Sequence, residues 1–263
     1  PSPIHLHGFP LAHPRHAYEV LLGVAHPFFG AGLFVADLFP FRERAWSARS
    51  GEPFEFLYVG APNRRKWTVT DKIYEQIIAP MDGRLRLRIK TTGATEEAAW
   101  EAWMSGNFVP DVIGSDDGFV YSAGNVTVDC RRLPYERLHE VYAGAHAMLF
   151  LTSGEGWGQT GIEAMASGVP LIVSGAPGVL EYANQRNAYL VRTDVTDLTL
   201  DDQGSAFYRC DWPDANHAMD QIAEVVGNYD EARRRARRAA REVRRLTWAR
   251  SARRLLAILQ QWV

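Results

Sequence analysis

The chain has 263 residues and a formal net charge of −2, with 46% hydrophobic and 23% charged residues. Such a balance suits a globular protein of one large or two small domains with a real core, and gives no reason to expect a nucleic-acid partner. Two distant cysteines, Cys130 and Cys210, speak against a disulfide framework or a zinc site and fit a reducing cytosol.

No charged leader with a cleavage site is visible. Residues 20–39 are apolar but carry His26, Pro27 and Asp37, so they read as a buried strand-and-loop region rather than a membrane span. Residues 1–50 are rich in Pro, Gly and His and lack periodicity. From Phe54 the pattern changes. A strand over 54–60 ends at Gly60, and a helix over 68–78 stops before Pro80. The alternation in 85–90 predicts a strand, 96–104 a helix, and 125–129 a short strand. Asp116 and Asp117 sit in a turn, Gly114 to Gly118. A helix over 134–144 has Pro134 in its first turn. The apolar run 147–152 predicts a strand covered on both faces. A short helix over 161–167 and strands over 169–173 and 187–191 follow. Strands alternating with helices predict an α/β, doubly wound, mainly parallel sheet of Rossmann-like type.

Residues 216–263 read as helical. Ala232, Ala236, Ala239, Val243, Leu246, Ala249, Ala252, Leu255 and Leu259 recur three or four apart and predict one buried stripe. Eleven arginines between Arg233 and Arg254 fall on the other faces. They read as a solvated surface, with peripheral contact to anionic lipid as the sharper alternative.

The chemistry concentrates in residues 149–184. An apolar strand runs into Thr152-Ser-Gly-Glu-Gly-Trp-Gly-Gln-Thr-Gly161, then a helix, then a strand. Ligands in such sheets bind beyond the carboxyl ends of the strands. Gly154, Gly156, Gly158 and Gly161 would let a ligand approach the backbone, and the helix N-terminus favours a phosphate. Glu155 and Glu163 would repel that phosphate, so they make sense as acceptors for sugar hydroxyls. The string Gly156-Trp157-Gly158-Gln159-Thr160-Gly161 also fits a dinucleotide fingerprint as text. That reading wants an acid at the end of the next strand, where the chain has Val173-Ser174-Gly175; Glu181 comes too late.

Residues 132–184 resemble the carboxyl-terminal domain of the retaining family 4 glycosyltransferases, which have the GT-B fold. The resemblance rests on Leu138 and Tyr142, on Glu155-Gly-Trp-Gly158, and on Glu163-Ala-Met-Ala-Ser-Gly168-Val-Pro170, which together carry two glutamates eight residues apart. Gly178 with Glu181, and Thr247-Trp248, resemble later family motifs, so the likeness extends over roughly 54–263. It implies that Glu163 binds the donor ribose and Glu155 meets the transferred sugar. Gly156, Trp157, Gly158, Gln159 and Thr160 would meet sugar and diphosphate. The family also places a cation pair after the first strand of this domain. Its first arginine position is Ala61 here, and Arg64, Arg65 and Lys66 follow, of which Arg65 or Lys66 replaces the pair. Base-selecting contacts are expected near Val128 to Arg132, at the end of a preceding strand. No metal and no cofactor are expected, the five histidines from His5 to His26 matching no zinc spacing.

By the resemblance, 51–263 form the nucleotide-sugar-binding domain, and 1–50 the remnant of an amino-terminal acceptor domain or a linker. The expected function is transfer of a sugar, with retention, from a nucleoside-diphosphate sugar to an acceptor that is a glycan, lipid or small molecule. A non-catalytic nucleotide-sugar-binding module acting with a partner chain is the alternative. The expected location is cytoplasmic, with peripheral membrane contact as an option.

Overall fold

The computed structural model describes residues 39–81, 83–200 and 207–261. The apolar stretch read over 20–39 lies, save its last residue, outside the described residues. In chain order the elements are β1 (Phe54–Val59), α1 (Arg64–Ile73), β2 (Leu85–Lys90), α2 (Ala94–Asn107), β3 (Asp111–Ser115), β4 (Gly118–Ala123) and β5 (Val126–Asp129). Then come α3 (Tyr135–Ala143), β6 (Ala147–Phe150), α4 (Gln159–Ser167), β7 (Leu171–Ser174), α5 (Pro177–Leu180) and β8 (Tyr189–Val191). The antiparallel hairpin β9 (Thr193–Leu200) and β10 (Phe207–Pro213) precedes α6 (Ala215–Gly227), α7 (Tyr229–Val243) and α8 (Trp248–Leu259).

Six strands run parallel in the order β5-β2-β1-β6-β7-β8, and the antiparallel β4 and β3 extend the sheet beyond β5. This is the doubly wound arrangement the alternation predicts. Side chains on one strand alternate between two cores. Phe54, Phe56 and Tyr58 of β1 join α1, α2 and α6 on one face, while Leu57 joins α3, α4, α5 and α7 on the other. Leu85, Leu87 and Ile89 are buried, while Arg86 is exposed.

Some boundaries differ from expectation. α1 starts at Arg64 rather than at 68, because the Asn63 side chain accepts from the Lys66 N–H at 3.1 Å and caps the helix. Asp116 and Asp117 do form a turn, but it closes a hairpin whose strands lack apolar alternation deep enough to announce them. The β9–β10 hairpin was also not expected. The helical tail is three helices. Ala232, Ala236, Ala239 and Val243 are buried as the stripe predicts, where α7 packs on α4. Beyond Val243 the stripe is covered only in part: Leu246 packs on the core and Leu255 is half-buried, while Ala252 is exposed and Leu259 is 51% exposed, since none of the described elements packs broadly on α8. Among the α7 arginines, Arg233 and Arg237 meet Glu43, Arg235 lies 4.2 Å over the Tyr189 ring, and Arg238 donates to the Arg186 carbonyl. No helix among the described residues is long and apolar enough to cross a membrane.

At the amino ends of the strands, residues 39–50 lie along this body. Phe39 packs edge-on to Tyr142, Arg42 N–H bonds the Ser167 carbonyl, and Trp46 packs on Phe54. His146 is fully buried here among Trp46, Phe54 and Tyr229, and its Nδ1 accepts from the Glu55 N–H at 2.8 Å. Burial, helped by Arg44, pushes its pKa from the ordinary 6.5 to about 4. Between those values the unfolded chain binds the proton that the folded chain refuses, so stability is lost as pH falls from 6.5 towards 4. Urea unfolding of the native chain should therefore weaken across that window, by up to about 3 kcal/mol from this residue. A His146→Gln chain should show a flatter pH dependence; an identical slope would reject the assignment.

Candidate donor site

β1 and β6 are neighbours, and their connections leave towards opposite sides of the sheet. The gap between the loops after these strands is where such sheets bind ligands. The first loop, from Gly60 to Asn63, is pinned from below. Trp100 Nε1 donates to the Gly60 carbonyl at 2.6 Å, and the Tyr58 hydroxyl donates to the Ala61 carbonyl at 3.0 Å. Trp67, Trp100 and Trp103 pack edge to face beneath it. This clamp aims the N-terminus of α1 at the gap. Arg64 and Arg65 occupy its first turn with Lys66.

The second loop runs from β6 to α4. Thr152 Oγ1 donates to the Gly154 carbonyl at 2.9 Å, and Ser174 Oγ donates to the Thr152 carbonyl at 2.6 Å. Gly158, with φ of +77°, ends the loop as the N-cap of α4, and no side chain caps that helix. Two helix N-termini, each carrying roughly half a positive charge, thus open at the gap.

The glycines also make room within the protein itself. Gly156 is exposed with open space around it. A Cβ on Gly158 would lie 2.7 Å from Phe150, and one on Gly161 2.7 Å from the Tyr182 hydroxyl. Gly178 is tighter still: its Cβ would lie 2.2 Å from the Gly156 carbonyl oxygen. These three let the protein close on itself. Tyr182 locks the arrangement, donating to the Gly158 carbonyl at 3.0 Å and packing its ring on Trp157.

The charged residues converge. Lys66 Nζ lies 3.6 Å from Glu155 Oε2, joining the two loops, with both side chains partly exposed. Glu163 is only 4% exposed. Its carboxylate accepts from the Tyr142 hydroxyl at 2.7 Å and from Gln159 Nε2 at 3.1 Å, which fixes its rotamer. Thr160 sits half-buried in the first turn of α4. Val128 is placed differently from the rest: it is fully buried in the core, paired with Ile89 and Tyr121 across the strands, so its side chain does not face the gap. Glu181 is exposed at the C-cap of α5, and β7 ends without an acid, so the dinucleotide fingerprint stays incomplete in space.

Sequence reasoning missed a buried ion cluster beside the gap. At the end of β2, Lys90 is 1% exposed and donates to the Thr91, Asp129 and Arg131 carbonyls at 2.7, 3.1 and 2.6 Å. Arg131 grips Asp129 with two bonds of 2.9 and 2.7 Å. Burial opposes the charge on Asp129, but Arg131 and Lys90 outweigh it and hold the carboxyl below the usual range. Burial lowers the Lys90 pKa. A lysine closing an alternating strand was the one available signal. Among the described residues, no group of three His, Cys, Asp or Glu side chains could hold a metal ion.

A family model described as "Family 4 Glycosyltransferase in conflict systems" matches residues 120–255, more than half of the chain. The chain belongs to this glycosyltransferase family. No curated protein matches it. Among solved structures it is similar to sucrose-phosphate synthase from Thermosynechococcus elongatus, at 21% identity and a TM-score of 0.56, over 81% of this chain and 46% of that one. TarM matches at 14% identity and a TM-score of 0.54, over 85% and 36%. HepE from Anabaena, solved with UDP and glucose, matches at 12% identity and a TM-score of 0.56, over 80% and 49%. At such identities the likeness is one of fold, that of GT-B glycosyltransferases. This glycosyltransferase chain spans less than half the length of each of these neighbours.

The packing of Gly178 gives a test. Gly178→Ala must displace backbone at Glu155 and Gly156, and should destabilise the glycosyltransferase chain by about 1–3 kcal/mol in urea unfolding. Gly106→Ala, in open space on α2, should be neutral or stabilising. Equal stability of the two variants would reject the close approach.

Proposed function

We propose that the chain is the donor half of a retaining glycosyltransferase that takes a nucleoside-diphosphate sugar. One observation carries the reading: Lys66 and Glu155 meet at the gap between two helix N-termini, with a clamped Glu163 one helical turn inside. In this reading Glu163 accepts the ribose hydroxyls, its rotamer already set by Tyr142 and Gln159. The N-terminus of α4, with the backbone of Gly156 to Thr160, receives the diphosphate. Glu155 stands by the transferred sugar.

Lys66 supplies positive charge to the departing diphosphate, an electrostatic contribution of several kcal/mol at a preorganised site. Its pairing with Glu155 is long and partly exposed, so breaking it costs at most about 1 kcal/mol. Donor binding would exchange one partner for another, Lys66 turning to phosphate and Glu155 to the sugar. Arg64 and Arg65, in the same first turn, are the further candidates for that cation. Retention is carried over from the family resemblance.

The acceptor would be held by a further domain or a partner chain, which the length of the structural neighbours supports. If no turnover occurs without that second component, the chain acts as a binding module. The leucines Leu256 and Leu259, about half exposed beside Arg250, Arg253 and Arg254 on α8, support contact with an anionic lipid surface.

The experiment is a thermal-shift and calorimetric panel of nucleoside diphosphates and their sugars, followed by assays for hydrolysis and transfer. A ligand at a hundredfold excess over its Kd should stabilise the chain by roughly 2.7 kcal/mol. UDP-sugars are the first to try, because HepE was solved with UDP and glucose. Glu163→Ala should weaken donor binding by at least about 1.5 kcal/mol, the scale of hydrogen bonds to a charged group. Lys66→Ala should weaken nucleoside diphosphate more than nucleoside. Unchanged affinity in the first variant, or equal losses in the second, would reject the assignment.

A further inference from the structure

The β9–β10 hairpin has no part in the site as described so far, yet it touches it. β8 ends at the same edge of the sheet as β6, and the chain passes directly into β9. On the return strand, the Asp211 N–H donates to the Ser153 carbonyl at 2.8 Å. Ser153 lies two residues before Glu155. Within the hairpin Asp211 is aligned with Val195, but its N–H is used on the donor loop instead. Ser153 is buried and Asp211 is half-buried at this contact.

The donor loop therefore has two independent supports. Its later half, Gly156 to Gly161, rests on Gly178 and Tyr182. Its earlier half, Thr152 to Gly154, is held by Ser174 on one side and by β10 on the other. Glu155 joins the two halves: its carbonyl lies close to Gly178, and Gly154 and Gly156 flank it. Glycines turn at low cost. A change in the earlier half can thus move Glu155 and leave the N-terminus of α4 in place.

We propose that β10 is the positioning element for the sugar end of the donor: the hydrogen bond from the Asp211 N–H to the Ser153 carbonyl sets where Glu155 stands, so the hairpin governs affinity for the sugar of a nucleotide sugar and not for its nucleotide. This rests on the donor reading above. Asp211 is a positioning residue, acting through its backbone.

Asp211→Pro removes the N–H but spares the hairpin ladder, since proline is accepted in strands where the N–H is not in the ladder. Asp211→Asn keeps the N–H. The Asp211→Pro chain should bind the nucleotide sugar roughly tenfold more weakly than the native chain, the size of one lost buried hydrogen bond, with nucleoside diphosphate changed less than about twofold. Asp211→Asn, which keeps the N–H, should lose less affinity for the nucleotide sugar than Asp211→Pro. Equal losses for both ligands, or none, would overturn the proposal.

Hydrogen exchange supplies an arm that needs no ligand. In the native chain the Asp211 amide should exchange as slowly as amides of the central sheet. In the Asp211→Pro chain, residues 152–156 should exchange about tenfold faster while β6 is unchanged. An Asp211 amide that exchanges like an exposed loop in the native chain overturns the proposal even if the proline chain does not fold. Should no nucleotide sugar bind the native chain, the donor reading fails, and exchange alone still decides whether β10 holds the loop.

Discussion

The parallel pairing of β1 with β6, in register at Phe56 with Ala147 and Leu57 with Met148, is the constraint on which the site depends. The chain leaves β1 towards one face of the sheet and β6 towards the other. Among the described residues no connection crosses the space between them, and both helices begin at its rim. Backbone dipoles and first-turn N–H groups then make that space attractive to an anion before any side chain is considered. The aromatic clamp under Gly60 and the backbone contact under Gly156 fix how closely the two rims approach.

Above that rigid base the charged groups are held to different degrees. Glu163 is locked by two hydrogen bonds and nearly buried, so its carboxylate is held in one orientation. Lys66 and Glu155 are loosely paired and partly exposed, which suits groups that change partners. The Lys90, Asp129 and Arg131 cluster is of a third kind. Its carbonyls and charges satisfy one another inside the protein, bracing the ends of β2 and β5 next to the site.

Glycine illustrates how a motif's spacing leaves open what its missing side chains make room for. The spacing of Gly156, Gly158 and Gly161 pointed to a ligand approaching bare backbone. In space, Gly158 and Gly161 make room for Phe150 and Tyr182, and Gly178, more than sixteen residues on, makes room for the loop itself. A linear motif reports that a Cβ is not tolerated at a position; whether a ligand or a tyrosine forbids it depends on residues remote in sequence.

The sequence by itself determined the doubly wound sheet, the loop that bears Glu155 and the helix that bears Glu163, because strand and helix periods and glycine turns are local properties of the chain. It also determined the apolar stripe of α7. Only the tertiary structure decided that Lys66 reaches Glu155, that Val128 belongs to the core, that the stripe on α8 is only partly covered among the described residues, and that β10 grips Ser153. Each of those depends on contacts between segments tens of residues apart, or on the lack of them. The Ser153 contact is between backbone groups, which every residue carries, so no side-chain pattern could have announced it.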